Sequence, residues 1–440
     1  MYSMPYHNPT LNEEQNRIIN KALDAQDYFL LVGPPGTGKT SLILRNLTLE
    51  LHKNPATTIL LLAYTNRAVD EICEAIEEVD FLRIGSEYST AEKHRPKLLD
   101  KNIEQLKSRK ELKDLLEKTR VFVATVAAVT NKPEIFELKK FTVAIIDEAS
   151  QILEPQIIGI LPLVEKFVMI GDHKQLPAIV LQNKYKSQVK EQELQAIGLY
   201  NRSNSLFERL YTLCQKNVWT WAYDTLTYQG RMHIELADFP NEFFYEGVLK
   251  PARPAQTIPL EVSSTTSNTV EQLVLHRRLS FIATQPVLDD KSDKINTHEA
   301  LLTAKLVEEI IKLYHREGKP FFADKTVGII TPYRNQIAHI RNYLQTQGIE
   351  NYEKITVDTV ERYQGSQRDI IIISFCINKF YQLKNLVSLT DDGLVDRKLN
   401  VALTRAREQM ILLGNLDLLQ KDVVYGALIT YCREKKVLIE

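Results

Sequence analysis

This sequence has no excess charge of one sign. Lysine and arginine number 55 against 56 aspartates and glutamates, so the formal net charge is −1. A protein with almost no net charge can bind a polyanion only through a local basic groove, because acidic surfaces elsewhere must balance that charge. Composition alone therefore gives no sign of a nucleic-acid partner, and any such surface must be found in particular residues.

Closely spaced cysteines and long apolar runs are also lacking. The four cysteines form no C-x-x-C pair, which favours scattered reduced thiols over a zinc site or a disulfide framework. The chain does not open with a secretory leader, and no apolar run approaches the ~18 residues of a membrane span. We therefore expect a soluble, intracellular protein, placed in the cytoplasm, with no membrane partner.

The length and the rhythm of the chain indicate a two-part α/β protein. At 440 residues the chain is long enough for two or three domains. Short apolar runs alternate with helical patterns in both halves, which is typical of parallel sheets covered by helices. We predict one domain over residues 1–225 and a second over 226–440.

The best-defined motif lies near the start of the chain. Residues 33–40 read G-P-P-G-T-G-K-T, between the apolar run 28–32 and a helix-compatible run. This is G-x-x-x-x-G-K-[ST] in a strand–loop–helix setting, which predicts a phosphate-binding loop. Glycines leave backbone N–H groups free to surround phosphate oxygens, and the helix N-terminus adds a favourable dipole. Lys39 is expected to reach the β- and γ-phosphates, and the Thr40 hydroxyl to bind Mg²⁺.

Two adjacent carboxylates close a later apolar run, 141–146. Buried acids are costly unless something uses them. A Mg²⁺–nucleotide site uses both: Asp147 would hold the metal, and Glu148 would deprotonate the attacking water. The next apolar run, 167–170, ends in a loop with Gln175, whose amide could contact both the γ-phosphate and that water.

Other polar residues follow predicted strands, where ligands bind in open α/β sheets. Thr65 and Asn66 follow the run 58–63, Thr125 ends the run 121–124, and their types suit phosphate contacts. Between these runs, residues 82–120 break the sheet pattern and predict an inserted helical hairpin. Its dense charge fits either a solvated surface or a contact with nucleic acid.

The second half repeats the α/β rhythm without a phosphate loop of its own. We predict strands at 279–284, 326–330, 355–358, 369–375 and 410–413, and a helix over 399–407. Arginines 231, 405 and 407 lie beside predicted strands or helix starts. One of them reaching the γ-phosphate would stabilise transition-state charge, whereas each arginine taken singly is better interpreted as part of a surface ion pair.

Together these motifs resemble superfamily 1 helicases, in the subgroup (1B) of the nonsense-mediated-decay RNA helicase and the flap-processing nuclease-helicase. The likeness rests on residues 15, 33–40, 64–70, 147–150, 171–177, 229–233, 331–336, 359–367 and 400–407, in the family's order. It implies two RecA-like P-loop NTPase domains in tandem, with ATP between them and single-stranded DNA or RNA across both. The insertion in the first domain is too short for the β-barrel of larger relatives.

The resemblance also implies residue roles. The catalytic residues would be Glu148, Gln175 and two arginine fingers, Arg231 and Arg405. Metal would be held by Thr40 and Asp147. ATP would contact Gln15 (at adenine), Gly33, Pro34, Pro35, Gly36, Thr37, Gly38, Lys39, Thr40, Gly365 and Gln367. The strand would follow Thr65, Asn66, Thr125, Thr331, Pro332 and Thr359. Taken without the family, Gln15 is better interpreted as a solvated helix residue than as an adenine contact.

The chain departs from the family pattern at Gly230, where tyrosine is usual, at Ile234, where proline is usual, and at Gln367, where an acid is usual. No nuclease or zinc-binding segment is recognisable, so the chain is either a minimal helicase core or a part of a longer protein, with possible protein partners or a fused domain. We expect an ATP-dependent helicase or translocase, moving 5′ to 3′ as the subgroup implies. The alternatives are a nucleic-acid-activated ATPase clamp that does not unwind, and a P-loop NTPase unrelated to nucleic acid.

Overall fold

The computed structural model describes residues 5–180, 182–260, 269–286 and 292–440. The chain divides into two compact units. The first comprises Met1–His173 and Pro177–Thr227, and the second comprises Lys174–Leu176 and Tyr228–Glu440. Each unit has its own parallel sheet, so the α/β prediction is confirmed.

The sheet of the first unit has the strand order β3-β4-β2-β5-β6-β1-β7. Every pairing in it is parallel, so all carboxyl ends meet at one edge. The strands are β1 Tyr28–Val32, β2 Ile59–Ala63, β3 Leu82–Ile84, β4 Val121–Thr125, β5 Phe141–Ile146, β6 Val164–Gly171 and β7 Tyr223–Thr225. Strand β2 is buried at all its positions, as expected for a central strand covered on both faces.

Helices cover both faces of this sheet, and apolar side chains pack into a separate core on each side. The helices are α1 Glu13–Asp24, α2 Arg45–His52, α3 Asn66–Ala75, α4 Leu99–Glu104, α5 Arg109–Lys118, α6 Val126–Thr130, α7 Ile135–Leu138, α8 Glu154–Ile157, α9 Gln192–Ala196 and α10 Leu206–Lys216.

The segment 82–120 contains helices α4 and α5, as predicted, but its first residues were assigned wrongly. Residues 82–84 form strand β3, which pairs with β4 at the edge of the sheet. Arg83 in this strand is 1% exposed and forms an ion pair with Asp70 of α3. A buried arginine interrupts the apolar pattern of this short strand. For that reason the sequence pattern did not predict β3.

The sheet of the second unit has the order β12-β11-β13-β14-β10-β15, again all parallel. A separate two-stranded pair, β8 with β9, lies outside it. The strands are β8 Tyr228–Gln229, β9 Lys250–Pro251, β10 Leu279–Ala283, β11 Val327–Ile330, β12 Thr356–Asp358, β13 Arg368–Ser374, β14 Ala406–Gly414 and β15 Leu438–Ile439. The short strands β7 and β15 were not predicted.

The helices of the second unit are α11 Ile234–Phe244, α12 Thr269–His276, α13 Thr297–Arg316, α14 Arg334–Thr346, α15 Val360–Tyr363, α16 Leu383–Leu386, α17 Arg397–Leu403, α18 Leu416–Leu419 and α19 Val423–Glu434. The predicted helix over 399–407 is too long, because α17 ends at Leu403 and β14 already begins at Ala406. The Thr404 hydroxyl donates to the carbonyl of Asn400 at 2.8 Å and closes the last turn. Within the described ranges, no helix combines the length and apolar character needed to cross a membrane.

Candidate functional site

The phosphate-loop sequence connects β1 to a helix that begins at Lys39 with a π-helical segment, Lys39–Leu44, and continues as α2. Gly38 has φ +80°, and a Cβ there would lie 2.7 Å from Leu42 Cδ1. The Thr37 hydroxyl donates to the Pro34 carbonyl at 2.7 Å and fixes the loop from inside. The loop therefore needs glycine at position 38 both for conformation and for space.

Gly33 is required for a different reason, which is the path of the Lys39 side chain. A Cβ on Gly33 would lie 2.1 Å from Lys39 Cγ and 2.4 Å from Cδ. The lysine stem thus lies directly on the backbone of the loop's first residue. This contact directs the ammonium group of Lys39 towards the carboxyl end of β5.

The two acids, Asp147 and Glu148, follow β5 at the carboxyl edge of the sheet. Thr40 Oγ1 donates to Asp147 Oδ2 at 2.5 Å, and Lys39 Nζ lies 3.5 Å from Glu148 Oε1. The structure therefore brings four of the residues predicted for nucleotide, metal and catalysis in this unit into one cluster.

Burial governs the charge of Asp147, which is 2% exposed. Burial, together with the neighbouring Glu148 carboxylate, raises the pKa of Asp147 to about 6, against the opposing effect of Lys39 and Thr40. A cation between Thr40 and Asp147 would stabilise the ionised form, and a hydroxyl with a carboxylate is an oxygen donor set that suits Mg²⁺. Within the described residues no group of three acidic, histidine or cysteine side chains could hold a metal, so phosphates and water would complete the coordination.

Glu148 occupies an uncommon backbone conformation. Its φ is +50°, in the left-handed region, and its N–H donates to Asp147 Oδ1 at 2.8 Å. Backbone strain of this kind costs roughly 1–3 kcal/mol and is concentrated at functional sites. The turn points the Glu148 carboxylate at Lys39, where a carboxylate can accept a proton from a water beside the phosphates.

Gln15, the predicted adenine contact, is the third residue of α1. Asn12 Oδ1 accepts from its N–H at 2.8 Å, and Gln15 Oε1 accepts from Asn12 N at 3.1 Å. This reciprocal capping box starts the helix and leaves Gln15 only 7% exposed. The residue is buried and ordered rather than solvated.

In the second unit the structure brings Arg231 and Arg405 together through Thr404. Arg231 Nη1 donates to the Thr404 carbonyl at 3.0 Å, and Arg231 Nε donates to Gln367 Oε1 at 2.9 Å. Gln367, which replaces the acid usual in the family, thus still accepts a hydrogen bond but brings no charge. Gly365, two residues earlier, has φ +78°.

Arg405 is buried, 2% exposed. Its Nε donates to the Val401 carbonyl at 2.8 Å, and its Nη2 lies 3.3 Å from Gln175 Oε1. Gln175 belongs to the short segment 174–176 that packs with the second unit. Arg407, the third arginine considered, forms an ion pair with Asp369 at 2.7 Å, which fits a structural role.

Polar residues follow neighbouring strands at the carboxyl edge of each sheet. In the first unit, Ala63 of β2 pairs with Thr125 of β4, so Thr65 and Asn66, which follow β2, lie at the same sheet edge as Thr125. Thr65 and Thr125 both cap helices, accepting from Ala68 N and Ala128 N at 3.1 Å. These neighbouring helix N-termini at one sheet edge suit phosphate oxygens.

In the second unit, β11 and β12 bring Thr331 next to Thr359, and Thr331 N donates to the Asp358 carbonyl at 3.1 Å. Thr331 has no exposed surface, and its buried hydroxyl has no hydrogen-bond partner. Pro332, the next residue after Thr331, is half-buried. Of Thr331 and Pro332, only Pro332 therefore offers accessible surface to a strand.

Two residues of this region carry structural roles that the sequence analysis did not identify. Gln229 Oε1 accepts from the backbone N–H groups of Arg231 and Met232, at 3.0 and 2.8 Å, and so fixes the Arg231 loop. Glu299 is fully buried at the carboxyl ends of β10 and β13. Only tertiary contacts distinguish these side chains from the other polar residues around them.

Glu299 accepts from the Thr284 and Ser374 hydroxyls at 2.9 and 2.6 Å and from Cys376 N at 2.9 Å. Burial raises the pKa of its carboxyl to about 7, although these three hydrogen bonds oppose the rise.

Two family models match this chain, and both are described as an AAA domain. One matches residues 10–119 and 97–183, and the other matches residues 202–417. The matches thus include the phosphate-loop cluster of the first unit and the arginine cluster of the second.

Curated relatives align over nearly the whole chain. The DNA replication ATP-dependent helicase/nuclease DNA2 of Xenopus laevis is 33% identical over 445 residues, which cover 93% of this chain and 38% of the relative. Regulator of nonsense transcripts 1 of Dictyostelium discoideum is 30% identical over 98% of this chain and 33% of its own length. The chain therefore spans little more than a third of the length of these relatives.

Among solved structures, an arterivirus nonstructural protein 10 (helicase) in complex with DNA aligns with 92% of this chain and 65% of that chain, at 14% identity and a TM-score of 0.42.

Proposed function

The chain belongs to superfamily 1 of the helicases, and on this premise we propose that it is an ATP-driven motor acting on single-stranded DNA or RNA. The observation that carries the proposal is the cluster of Lys39, Thr40, Asp147 and Glu148, within hydrogen-bond and ion-pair distances around one phosphate loop. A cation, a hydroxyl and two acids in this arrangement provide what hydrolysis of a triphosphate needs.

We assign roles in the first unit by chemistry. The backbone N–H groups of the loop and the Lys39 ammonium bind the phosphates, and Gln15 lies on the element that would meet the adenine. Thr40 and Asp147 would hold Mg²⁺, which when bound neutralises charge on the phosphate oxygens. Glu148 orients the attacking water and takes its proton.

The second unit would supply positive charge to the transition state. We propose that Arg231 and Arg405 act as arginine fingers on the triphosphate, with Gly365 and Gln367 beside them. Arg405 contacts Gln175, which is the residue proposed to sense the γ-phosphate. Movement of the arginine pair would therefore also displace Gln175. Coupling hydrolysis to a conformational step is what converts ATP turnover into motion.

The strand would lie along the carboxyl edges of the two sheets, contacting Thr65, Asn66 and Thr125 in the first unit and Pro332 and Thr359 in the second, where Thr331 is buried and supports Pro332. Contacts to phosphates do not read sequence, so the motor would act on strands of any sequence. We propose movement 5′ to 3′, in line with the subgroup that the motifs resemble.

The proposal is tested by measuring ATP turnover with and without single-stranded DNA or RNA. We expect strong stimulation by a strand, and turnover that a strand leaves unchanged would contradict the motor. A duplex with a 5′ or a 3′ single-stranded tail then separates unwinding from clamping. Displacement from the 5′-tailed substrate supports a 5′-to-3′ helicase, whereas stimulation without displacement supports an ATPase clamp.

A further inference from the structure

Two aromatic side chains stand exposed directly after β13, at the carboxyl edge of the second sheet. Phe380 is 57% exposed and Tyr381 is 52% exposed. Contiguous exposed apolar surface is a mark of interaction sites. We call this pair the aromatic ledge.

The ledge rests on a buried polar network that holds its backbone in place. Gln382 is 1% exposed; its Oε1 accepts from the N–H groups of Asn378 and Lys379, both at 2.8 Å. Gln382 Nε2 donates to the Asp293 carbonyl at 2.8 Å, and the Tyr381 hydroxyl donates to the Asp293 carboxylate at 2.7 Å. The exposed rings are therefore carried by an ordered support rather than by a loose loop.

Hydrogen bonds connect the ledge to the strand-contact segment 331–336. Asn378 Oδ1 accepts from Asn296 Nδ2 at 3.1 Å, and Asn296 N in turn donates to Gln336 Oε1 at 2.9 Å. Asn335 Nδ2 also donates to Ser292 Oγ at 3.3 Å. The ledge and segment 331–336 thus share one buried hydrogen-bonded support, and each follows a strand at the carboxyl edge of the second sheet.

The charges around the ledge favour an anionic ligand. Lys421 Nζ lies 5.3 Å from the centroid of the Phe380 ring, and the exposed Lys294 and Lys384 lie within two residues of Asp293 and Gln382 in the sequence. The acid within the network, Asp293, is paired with Lys379 at 2.8 Å. Exposed aromatic faces beside basic side chains are the combination that binds bases and phosphates of single strands.

We propose that Phe380 and Tyr381 form a stacking platform for the bases of the single-stranded nucleic acid that crosses the second unit. This inference rests on the proposed function and extends its strand path beyond the threonine and proline contacts. The rings would stack on bases while the surrounding basic side chains neutralise phosphates. Stacking of this kind tolerates any base, which suits a motor that moves along a strand.

The test is direct binding of a fluorescein-labelled 20-nucleotide dT oligomer without nucleotide. We expect Phe380→Ala and Tyr381→Ala each to weaken binding by about 5- to 100-fold. Phe380→Trp and Tyr381→Phe keep an aromatic face and should bind within about threefold of the unchanged protein. The matched control is Phe322→Ala, because Phe322 is 54% exposed, has Lys325 Nζ 5.9 Å from its ring centroid and precedes β11 at the other sheet edge.

An oligomer with abasic sites separates stacking from a general loss of structure. The unchanged protein should bind the abasic strand more weakly than the dT strand. The double variant, which carries both Phe380→Ala and Tyr381→Ala, should bind the two strands equally. Equal binding of dT by the unchanged protein and the double variant would overturn the stacking proposal and leave the motor proposal intact. A protein would then be the expected ligand of the two rings. Failure of the unchanged protein to bind both this oligomer and a matched 20-nucleotide rU oligomer would instead overturn both proposals.

Discussion

Thr40 Oγ1 donates a hydrogen bond of 2.5 Å to Asp147 Oδ2 and so connects the helix after the phosphate loop to the end of β5. The two residues are 107 positions apart in sequence. The side chains of both residues offer oxygen atoms that can bind a metal ion. The pKa of the buried Asp147 is raised, which indicates that its carboxylate lacks enough positive charge around it. A divalent cation bound by both oxygens would supply that charge.

Removing the Thr40 hydroxyl should therefore weaken the use of Mg²⁺. We expect Thr40→Val, which keeps the shape of the side chain, to raise the Mg²⁺ concentration for half-maximal ATP turnover at least tenfold. Thr40→Ser keeps the hydroxyl and should stay near the unchanged protein. The measurement is ATP turnover as a function of Mg²⁺ concentration. The same Mg²⁺ dependence for Thr40→Val and Thr40→Ser would show that the Thr40 hydroxyl does not bind the metal.

Glu148 should be needed for hydrolysis and not for binding. Glu148→Gln keeps the size of the side chain and cannot take a proton from water, so turnover should fall at least a hundredfold. Binding of a fluorescent ATP analogue should change by less than threefold. Glu117→Gln, an exposed change on α5, is the control. Ordinary turnover in Glu148→Gln would show that another group is the base.

Arg405 should matter for both turnover and stability, because its buried guanidinium donates to the Val401 carbonyl and the Thr404 hydroxyl. We expect Arg405→Ala to reduce turnover at least a hundredfold while ATP affinity stays within threefold. The buried acceptors left unpaired should also cost about 1–3 kcal/mol in urea unfolding. Wild-type turnover would exclude a role at the phosphates.

Glu299 should give the protein a pH-dependent stability. Its carboxyl has a pKa of about 7 in the folded state, against 4.5 as the reference value for the unfolded chain. Between these values the unfolded state binds fewer protons, so the free energy of unfolding falls as pH rises, by up to about 3 kcal/mol from this group. Above about pH 7 its contribution is constant.

Glu299→Gln cannot ionise and should lack this component. In urea unfolding between pH 5 and pH 8, the variant should therefore gain stability relative to the unchanged protein as pH rises. Parallel pH profiles for the two proteins would show that Glu299 does not titrate in this range.

The sequence predicted that the phosphate loop and the two acids lie together, because these residues lie in one stretch or directly after buried strands. The loop 33–40 and the acids at 147–148 needed only strand–loop–helix order and the rule that parallel strands end at one edge. The α/β alternation of both units was predicted for the same reason, since buried parallel strands appear as continuous apolar runs.

Features that depend on tertiary contacts were not predicted. Strand β3 carries the buried Arg83, whose partner Asp70 lies in a different element, so its pattern did not look like a strand. Helix α17 ends at Leu403, where the Thr404 hydroxyl donates to the Asn400 carbonyl, and no residue propensity marks that end in the sequence. The Glu299 network and the aromatic ledge depend on which polar and aromatic residues the fold brings together.

The central claim is that guanidinium groups of the second unit act on ATP bound by the first, and Arg231→Ala tests it most directly. Arg231 is half-buried and donates to a neutral amide and a carbonyl, and urea unfolding of the variant checks that it folds. The measurement is strand-stimulated ATP turnover beside ATP affinity, with Arg316→Ala, a change at the end of α13, as control. We predict turnover at least a hundredfold lower with affinity unchanged. Turnover equal to that of the unchanged protein would contradict the account.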